Sequence, residues 1–222
     1  MKLILDKFSS NLRWVGAGER FRSALGAGLG VAFSGWLCYK LFGTYHSEMS
    51  WFIAPMGATA VLVFVVHSSP LAQPWSVIGG NTVSALVGIF CVSFFGQSPW
   101  VAGLAVAFSI LAMFTLRCLH PPGGAVALLM VLANVQHIDY AVSPVLLCSS
   151  LLVLLGFAFH NATGKSYPHR VPVTPLSQET LKLEIEAVLR KHNEVLDISV
   201  ADLQGMVEEV RQLHMAGDLR AK

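Results

Sequence analysis

His120 lies in a short motif that joins a titratable side chain to an enforced break in the backbone. Residues 121–125, with the sequence PPGGA, follow it directly. Prolines cannot donate backbone hydrogen bonds, so an arriving helix must end here, whereas proline suits the first turn of a new helix. A helix start exposes unpaired N–H groups and carries about half a positive charge, which favours an anion. The motif therefore predicts a new helix, with residues 125–132 as its body, and an anion site at its start.

A second stretch of the same kind surrounds Pro55. Residues 54–62 align without gaps on residues 121–129, at an offset of 67 residues, and proline, glycine, two alanines and leucine match in order. Glycine at such a position lets the backbone come close to a ligand. The backbone donors of the two helix starts are the first candidates for an anion site, and they belong to Gly57, Ala58, Thr59, Gly123, Gly124 and Ala125.

Three side chains could complete this anion site. Thr59 offers a hydroxyl group, and Asn81 and Gln73 offer amide donors. Asn81 shares a polar helix face with Ser84, which is followed four residues later by Gly88. This polar face could form hydrogen bonds between helices or line a pore, and the two interpretations fit the sequence equally well.

The charged and titratable residues of the motif each have two interpretations. His120 could donate to an anion or carry a proton coupled to transport; as a neutral side chain it could instead cap backbone groups left exposed by the prolines. Arg117 is expected to anchor a helix end on the cytoplasmic side, its alternative role being to attract anions at a vestibule. The residues assigned to the vestibule and to the structural break are Arg117, Pro55, Pro121, Pro122 and Gln73.

The sequence contains no motif for catalysis, for a metal or for an organic cofactor. It has no nucleophilic triad, paired carboxylates or phosphate loop, and acidic residues are too rare in the apolar region for a divalent-cation site. His67 and His160 stand near the edges of apolar segments without a partner pattern. We therefore expect neither an enzyme nor a cofactor. The four cysteines lie in or beside apolar segments without CxxC spacing and are expected to be buried and unpaired.

The elements that must position these residues are membrane spans. Of the 222 residues, 54% are hydrophobic and only 13% are charged, whereas soluble domains contain about 25% charged residues. A region this poor in charge cannot form the surface of a soluble domain, so it predicts an integral membrane protein rather than a nucleic-acid-binding one. The only Asp, Glu, Lys or Arg residues between Ser23 and His160 are Lys40, Glu48, Arg117 and Asp139.

The order of the apolar segments predicts an inverted repeat. Segments at about 21–42, 51–66, 75–95, 100–119, 125–132 and 144–160 follow the order long, short, long, twice. Three crossings per repeat would invert the second repeat relative to the first. Six crossings also place the basic residues near both termini and Arg117 inside, in agreement with the positive-inside rule. In a rival interpretation the short segments are re-entrant hairpins, which leaves four crossings and places Arg117 outside.

The predicted fold is therefore an all-α polytopic membrane bundle with two short helices that begin at Pro/Gly breaks, in an inverted 3+3 repeat. The transmembrane domain is placed at residues 21–161, with repeats at about 21–95 and 100–160. A cytoplasmic amphipathic segment occupies residues 1–20, and a linker occupies residues 162–177. In the tail, residues 178–222, apolar spacing predicts a short cytoplasmic helical hairpin. Its function would be oligomerisation or regulation, or it would be a passive hairpin.

Two motifs resemble the HPP family of integral membrane proteins. They are residues 119–125, LHPPGGA, and residues 57–62, GATAVL; residues 69–74, SPLAQP, and Asn81 are similar to the family's pattern as well. The resemblance covers about residues 20–159. It implies nitrite transport, with which cyanobacterial and chloroplast members are associated, and we expect this chain to lack the pair of CBS domains found in some members.

Together these features lead us to expect a transporter or channel for a small inorganic anion, nitrite first and nitrate second. The anion would bind at facing helix starts near the bilayer midplane. The alternative is a non-transporting membrane sensor or scaffold that signals through its tail. The expected partners are the lipid bilayer, the anion and a second copy of the chain in a homodimer. The expected location is the bacterial cytoplasmic (inner) membrane, with both termini cytoplasmic. The sequence leaves channel and coupled carrier as open alternatives.

Overall fold

The computed structural model describes residues 15–42 and 54–169. The predicted tail at residues 178–222, most of the N-terminal segment and half of the linker lie outside these described residues. Throughout the described residues the secondary structure is helical, with no strand. The six helices are α1 (Ala17–Phe42), α2 (Pro55–Val65), α3 (Pro74–Phe95), α4 (Pro99–Thr115), α5 (Pro121–Leu132) and α6, which begins as a π-helical segment (Ala141–Leu146) and continues as Leu147–Ala162.

Proline determines where most of these helices begin. The helices α2 to α5 each start on a proline, whose missing N–H costs nothing in a first helical turn. The fourth predicted segment reaches residue 119, but α4 ends at Thr115. The reason is local: Arg117 adopts a left-handed φ of 53°, and His120 is extended, as the prolines that follow it require.

The outer surface of the bundle is apolar. Trp100 is 85% exposed and Phe94 is 71% exposed, and further large apolar side chains lie exposed on α1, α4 and α6. A surface of this kind is unfavourable in water but suits contact with lipid. Two helices, Pro74–Phe95 and Ala141–Ala162, are long and apolar enough to cross a membrane. These features agree with the predicted all-α membrane bundle.

Contacts at the C-terminal end of α6 show how the first three helices run relative to it. Arg22, near the start of α1, contacts His160, near the end of α6, and His160 also contacts Val63, near the end of α2. Thus α1 is antiparallel to α6, and α2 is parallel to it. Tyr167, just after α6, donates to the carbonyl of Ala72, just before α3, so α3 is antiparallel to α6.

A second group of three helices, α3, α4 and α5, repeats the arrangement of α6, α1 and α2. Trp75, at the start of α3, donates to the carbonyl of Leu116, at the end of α4, so these helices are antiparallel. Gly80 of α3 faces His120, and Gly88 faces Met130, so α5 runs parallel to α3. Each group therefore contains two helices of one repeat and the third helix of the other: α1 and α2 pack against α6, and α4 and α5 pack against α3.

The helix directions establish the inverted repeat. The six helices alternate in direction, so the second set of three runs opposite to the first. Adding 67 to the bounds of α2 and α3 gives 122–132 and 141–162, which match α5 to one residue and α6 fully. These directions favour six crossings, because four crossings require α1 and α3 to be antiparallel, whereas both are antiparallel to α6.

Candidate functional site

A cluster of five fully buried polar side chains lies where α2, α3, α5 and α6 meet. We call it the central cluster; its members are Thr59, Asn81, Ser84, His120 and Ser149, each with 0% exposure. From the contact between Asn81 and Ser149, α3 continues to Phe95 and α6 continues to Ala162, about 20 Å in opposite directions. The central cluster therefore lies halfway through the bundle.

His120 is held by both of its ring nitrogens. Its Nδ1 lies 2.8 Å from the carbonyl oxygen of Leu71, and its Nε2 lies 3.1 Å from Oγ1 of Thr59. A carbonyl oxygen can only accept, so Nδ1 must carry a hydrogen. A Cβ atom at Gly80 would lie 2.6 Å from His120 Cβ and 2.6 Å from the Cys118 carbonyl oxygen. Only glycine at this position of α3 allows the motif to come so close.

Asn81 joins the two repeats. Its Nδ2 donates to Thr59 Oγ1 at 3.3 Å and to Ser149 Oγ at 3.1 Å. Its Oδ1 has no hydrogen-bond partner, and neither has the hydroxyl of Ser84, which lies against Gly123. Most buried polar atoms in proteins have partners, so two unpartnered atoms in one cluster indicate a place for a ligand or water.

The short helices α2 and α5 run in opposite directions, and the first half of α2 meets the start of α5 in the central cluster. The contact is the one between Thr59, in the first two turns of α2, and His120, which immediately precedes α5. Thr59, Asn81, His120 and Gly123 are therefore brought together from separate parts of the sequence. This is the facing arrangement that the repeat predicts.

The other residues predicted as backbone donors lie on helix faces that do not line the central cluster. Gly57, Ala58 and Ala125 are exposed on the outer faces of their helices, and Gly124 is half-buried beside Val106. The cause is helical periodicity, because neighbouring residues in a helix face different directions. The N–H groups of Gly57 and Gly123 also have partners already, the carbonyl oxygens of Ala54 at 3.1 Å and of His120 at 2.8 Å.

Gln73 stabilises the segment between α2 and α3 through hydrogen bonds to backbone groups. Its Nε2 donates to the carbonyls of His67 at 3.0 Å and Ser69 at 2.8 Å, and its Oε1 accepts from the backbone N–H of His169 at 2.9 Å. Its amide therefore does not reach the central cluster. Arg117 is exposed at the end of α4, at the same end of the bundle as the start of α3.

The three prolines that are predicted to interrupt the helices differ in their exposure. Pro55 and Pro122 are buried, and Pro121 is exposed. Pro55 also takes part in the cluster through its backbone, because its carbonyl oxygen lies 3.2 Å from Thr59 Oγ1.

A second polar group fastens α1 to α6 at one end of the bundle. We call it the terminal clamp; it consists of Glu19, Arg22, His160 and Thr163. Arg22 pairs with Glu19 through two nitrogens and donates to Thr163 Oγ1 at 3.1 Å. It also reaches His160 Nδ1 at 3.2 Å, while His160 Nε2 donates to the Val63 carbonyl at 2.8 Å. His67 stacks on His160 with ring centroids 4.3 Å apart, so these two histidines are paired within the bundle.

The four cysteines are buried with free thiols. Within residues 15–42 and 54–169, no group of three or more His, Cys, Asp or Glu side chains could hold a metal ion.

The fold and its centre define a polytopic α-helical membrane protein, built from two inverted halves around a buried polar cluster. The family described as HPP, transmembrane region, matches residues 14–168. The chain therefore belongs to the HPP family, as its motifs predict.

Two relatives are transmembrane proteins of Dictyostelium discoideum. One is 32% identical over 154 residues, covering 66% of this chain and 49% of the relative. The other is 35% identical over 130 residues, covering 55% of this chain and 46% of the relative. The chain thus spans about half the length of the curated relatives that it matches. No solved structure matches it.

Proposed function

We propose that this protein transports a small inorganic anion, nitrite or nitrate, through the centre of its helical bundle. The observation that carries the proposal is the contact between two oppositely directed helix starts inside a fully buried polar cluster, the 3.1 Å contact of Thr59 with His120. Broken helices that meet halfway through a membrane, at the interface of inverted repeats, are the usual place for a transported solute. The HPP family membership is consistent with a transporter.

The chemistry of the central cluster favours an anion over a metal cation. Its side chains supply hydroxyl, amide and imidazole N–H groups, and none of the five is a carboxylate. The starts of α2 and α5 add partial positive charge from both sides. Gly80, Gly88 and Gly123 pack closely against neighbouring helices, which favours a small solute over a large one.

We also propose an orientation, an assembly and a non-enzymatic role. Arg22 and Lys165 lie at the end of the bundle where α1 begins and α6 ends, and Arg117 lies toward the same end. We propose that this end is cytoplasmic, as the positive-inside rule favours, and that the membrane is a bacterial inner membrane. A homodimer would place two such bundles side by side, and the central cluster contains no carboxylate that could complete a catalytic triad with Thr59 and His120, which supports transport without catalysis.

Flux measurements in liposomes test the proposal. Purified protein should accelerate entry of nitrite or nitrate relative to protein-free liposomes of the same lipid. Sulfate, which is larger and doubly charged, should remain outside. A correctly folded preparation that passes neither nitrite nor nitrate would contradict transport and favour the sensor or scaffold alternative.

Ser84→Ala separates binding from folding. Because the Ser84 hydroxyl has no partner in the protein, its removal should leave thermal stability unchanged or slightly raised. Anion flux at low concentration should fall at least several-fold, because that hydroxyl is free to donate to the anion. Ser109→Ala is the matched control: Ser109 is also fully buried, but its hydroxyl donates to the Val106 carbonyl of its own helix. Equal anion flux through the two variants would show that the Ser84 hydroxyl does not bind the anion.

A further inference from the structure

The Thr59 hydroxyl has two acceptors within reach and only one hydrogen. Its Oγ1 lies 3.2 Å from the Pro55 carbonyl oxygen and 3.1 Å from His120 Nε2. The other imidazole nitrogen is already committed, because Nδ1 donates to the Leu71 carbonyl at 2.8 Å. The Nε2 atom is therefore the one position of this ring at which a proton can be gained or lost.

Both protonation states of His120 fit the same positions of the heavy atoms. When Nε2 is bare, it accepts from the Thr59 hydroxyl. When Nε2 carries a proton, it donates to Thr59 Oγ1, and the hydroxyl hydrogen turns to the Pro55 carbonyl. Asn81 Nδ2 can donate to Oγ1 in both cases. Uptake of a proton then needs only the rotation of one hydroxyl group.

An anion in the central cluster needs a counter-charge that no permanently charged residue supplies. Within residues 54–160 the permanent charges are Arg117, at the exposed end of α4, and Asp139, exposed between α5 and α6. A lone charge buried in a membrane bundle is strongly unfavourable. A protonated His120 provides the missing charge at the place where it is needed.

No other titratable group in the elements around His120 competes for this role. Helices α2 and α5 contain none, and Cys118 on the same segment as His120, Cys91 on α3 and Cys148 on α6 are buried thiols. His67, on the segment between α2 and α3, stacks on His160 of α6 instead.

The unpartnered atoms agree with a cargo that arrives with a proton. Ser84 Oγ can donate to an anion, but Asn81 Oδ1 can only accept and would repel a bare anion beside it. The positive charge of a protonated His120, which shares Thr59 with Asn81, would offset that repulsion.

Resting on the proposed function, we infer that each small anion crosses together with one proton, which is held on His120 Nε2. On one side of the membrane a hydronium ion gives its proton to the Nε2 lone pair, forming an N–H bond. On the other side that bond breaks, water takes the proton, and the lone pair returns to Nε2. No electrons are transferred, and the anion–proton pair moves without net charge.

Liposomes loaded with a pH-sensitive dye test this coupling. A nitrite gradient is applied at two membrane potentials fixed with potassium and valinomycin, and the leak measured in protein-free liposomes is subtracted. We expect one proton to enter per nitrite, at a rate independent of potential. Flux that follows the potential without internal acidification would overturn the inference and leave the proposed function intact. Absence of any nitrite flux would instead overturn the proposed function.

Matched variants test His120 and Thr59, the two residues proposed to hold the proton. His120→Gln keeps amide hydrogen bonding but cannot take up a proton, so coupled uptake should fall at least tenfold; the control is His137→Gln, at an exposed position between α5 and α6. Thr59→Val preserves shape but removes the hydroxyl, so coupled uptake should also fall. Its control is Thr82→Val, where the lost hydroxyl donates only to the Ile78 carbonyl of its own helix. A His120→Gln protein that melts like the parent and still moves one proton per nitrite would overturn the inference.

Discussion

Gly80 determines how closely the residues around His120 approach α3. Its missing side chain leaves space for the Cys118 carbonyl oxygen and for His120 Cβ, each of which would lie 2.6 Å from an added Cβ atom. Gly88 makes a similar contact farther along α3, where an added Cβ would lie 2.7 Å from the Ala127 carbonyl oxygen. The central cluster is thus positioned by close contact between backbones, as small residues permit between membrane helices.

Gly80→Ala should therefore destabilise the protein and displace His120. Because the obstructing atoms include backbone, the contact cannot be relieved by a rotamer change, and overpacking of this kind costs roughly 1–3 kcal/mol. A lower melting temperature in detergent and lost anion flux are the expected results. Gly103→Ala is the control, since nothing lies within 4 Å of its added Cβ and alanine favours helix. Equal melting temperatures for the two variants would contradict the close packing.

The sequence predicted part of the central cluster at the level of residues. Thr59 and His120 could be chosen because they stand in or next to the two matching helix starts, and Asn81 because it is an amide donor within an apolar segment. Ser149 could not, because it is one of several small polar residues in an apolar segment and only the crossing of α3 and α6 gives it a partner. His67 and His160 were missed for the same reason, since 93 residues separate the two stacked rings in the chain.

The terminal clamp shows how a single arginine holds the outermost helix in place. Helix α1 packs against α2 and α6, and Gly26 and Gly30 on its inner face lie close to the Phe64 ring. That apolar packing provides little directional specificity. Arg22 supplies this directional specificity, because its planar guanidinium group forms hydrogen bonds with Glu19, His160 and Thr163 at once.

Arg22→Ala should loosen α1 from α6. Loss of these charge-assisted hydrogen bonds and of the partner of Glu19 should cost about 2 kcal/mol, measured as a lower melting temperature in detergent. Arg22→Lys should restore the charge but only part of the stability, because an ammonium group cannot reproduce the fork of bonds. Arg117→Ala removes an arginine that is exposed, so it should change stability little. If Arg22→Ala and Arg117→Ala had the same melting temperature, the terminal clamp would not stabilise the protein.

The helices themselves were more predictable than their ends. Length, apolarity and the prolines locate all six, and the predicted third segment differs from α3 by one residue. The ends of α4 and the start of α6 were less predictable, because a left-handed Arg117 and the π-helical segment Ala141–Leu146 depend on packing rather than on composition.

At the level of the whole molecule, each three-helix group takes one helix from the other repeat. Helices α3 and α6 cross at Asn81 and Ser149, and the short helices meet at Thr59 and His120, so the hydrogen bonds of the central cluster connect the two groups. A relative movement of the two groups would therefore strain or break these hydrogen bonds. A solute bound there would be in contact with both groups, which is the requirement for alternating access around a fixed site.

The direction of the six helices can be tested by labelling single cysteines in the membrane. The four native cysteines are buried and can remain, with the parent protein as the control for background reaction. Arg117→Cys, Ser166→Cys and Gln136→Cys each place a thiol at an exposed position. Because α4 and α6 both end on the side where α1 begins, a membrane-impermeant maleimide should reach residues 117 and 166 from the same, cytoplasmic side. Residue 136, between α5 and α6, should react only from the opposite side. Four crossings would instead group residue 117 with residue 136, so the label at residue 117 decides between an inverted repeat and a pair of re-entrant hairpins.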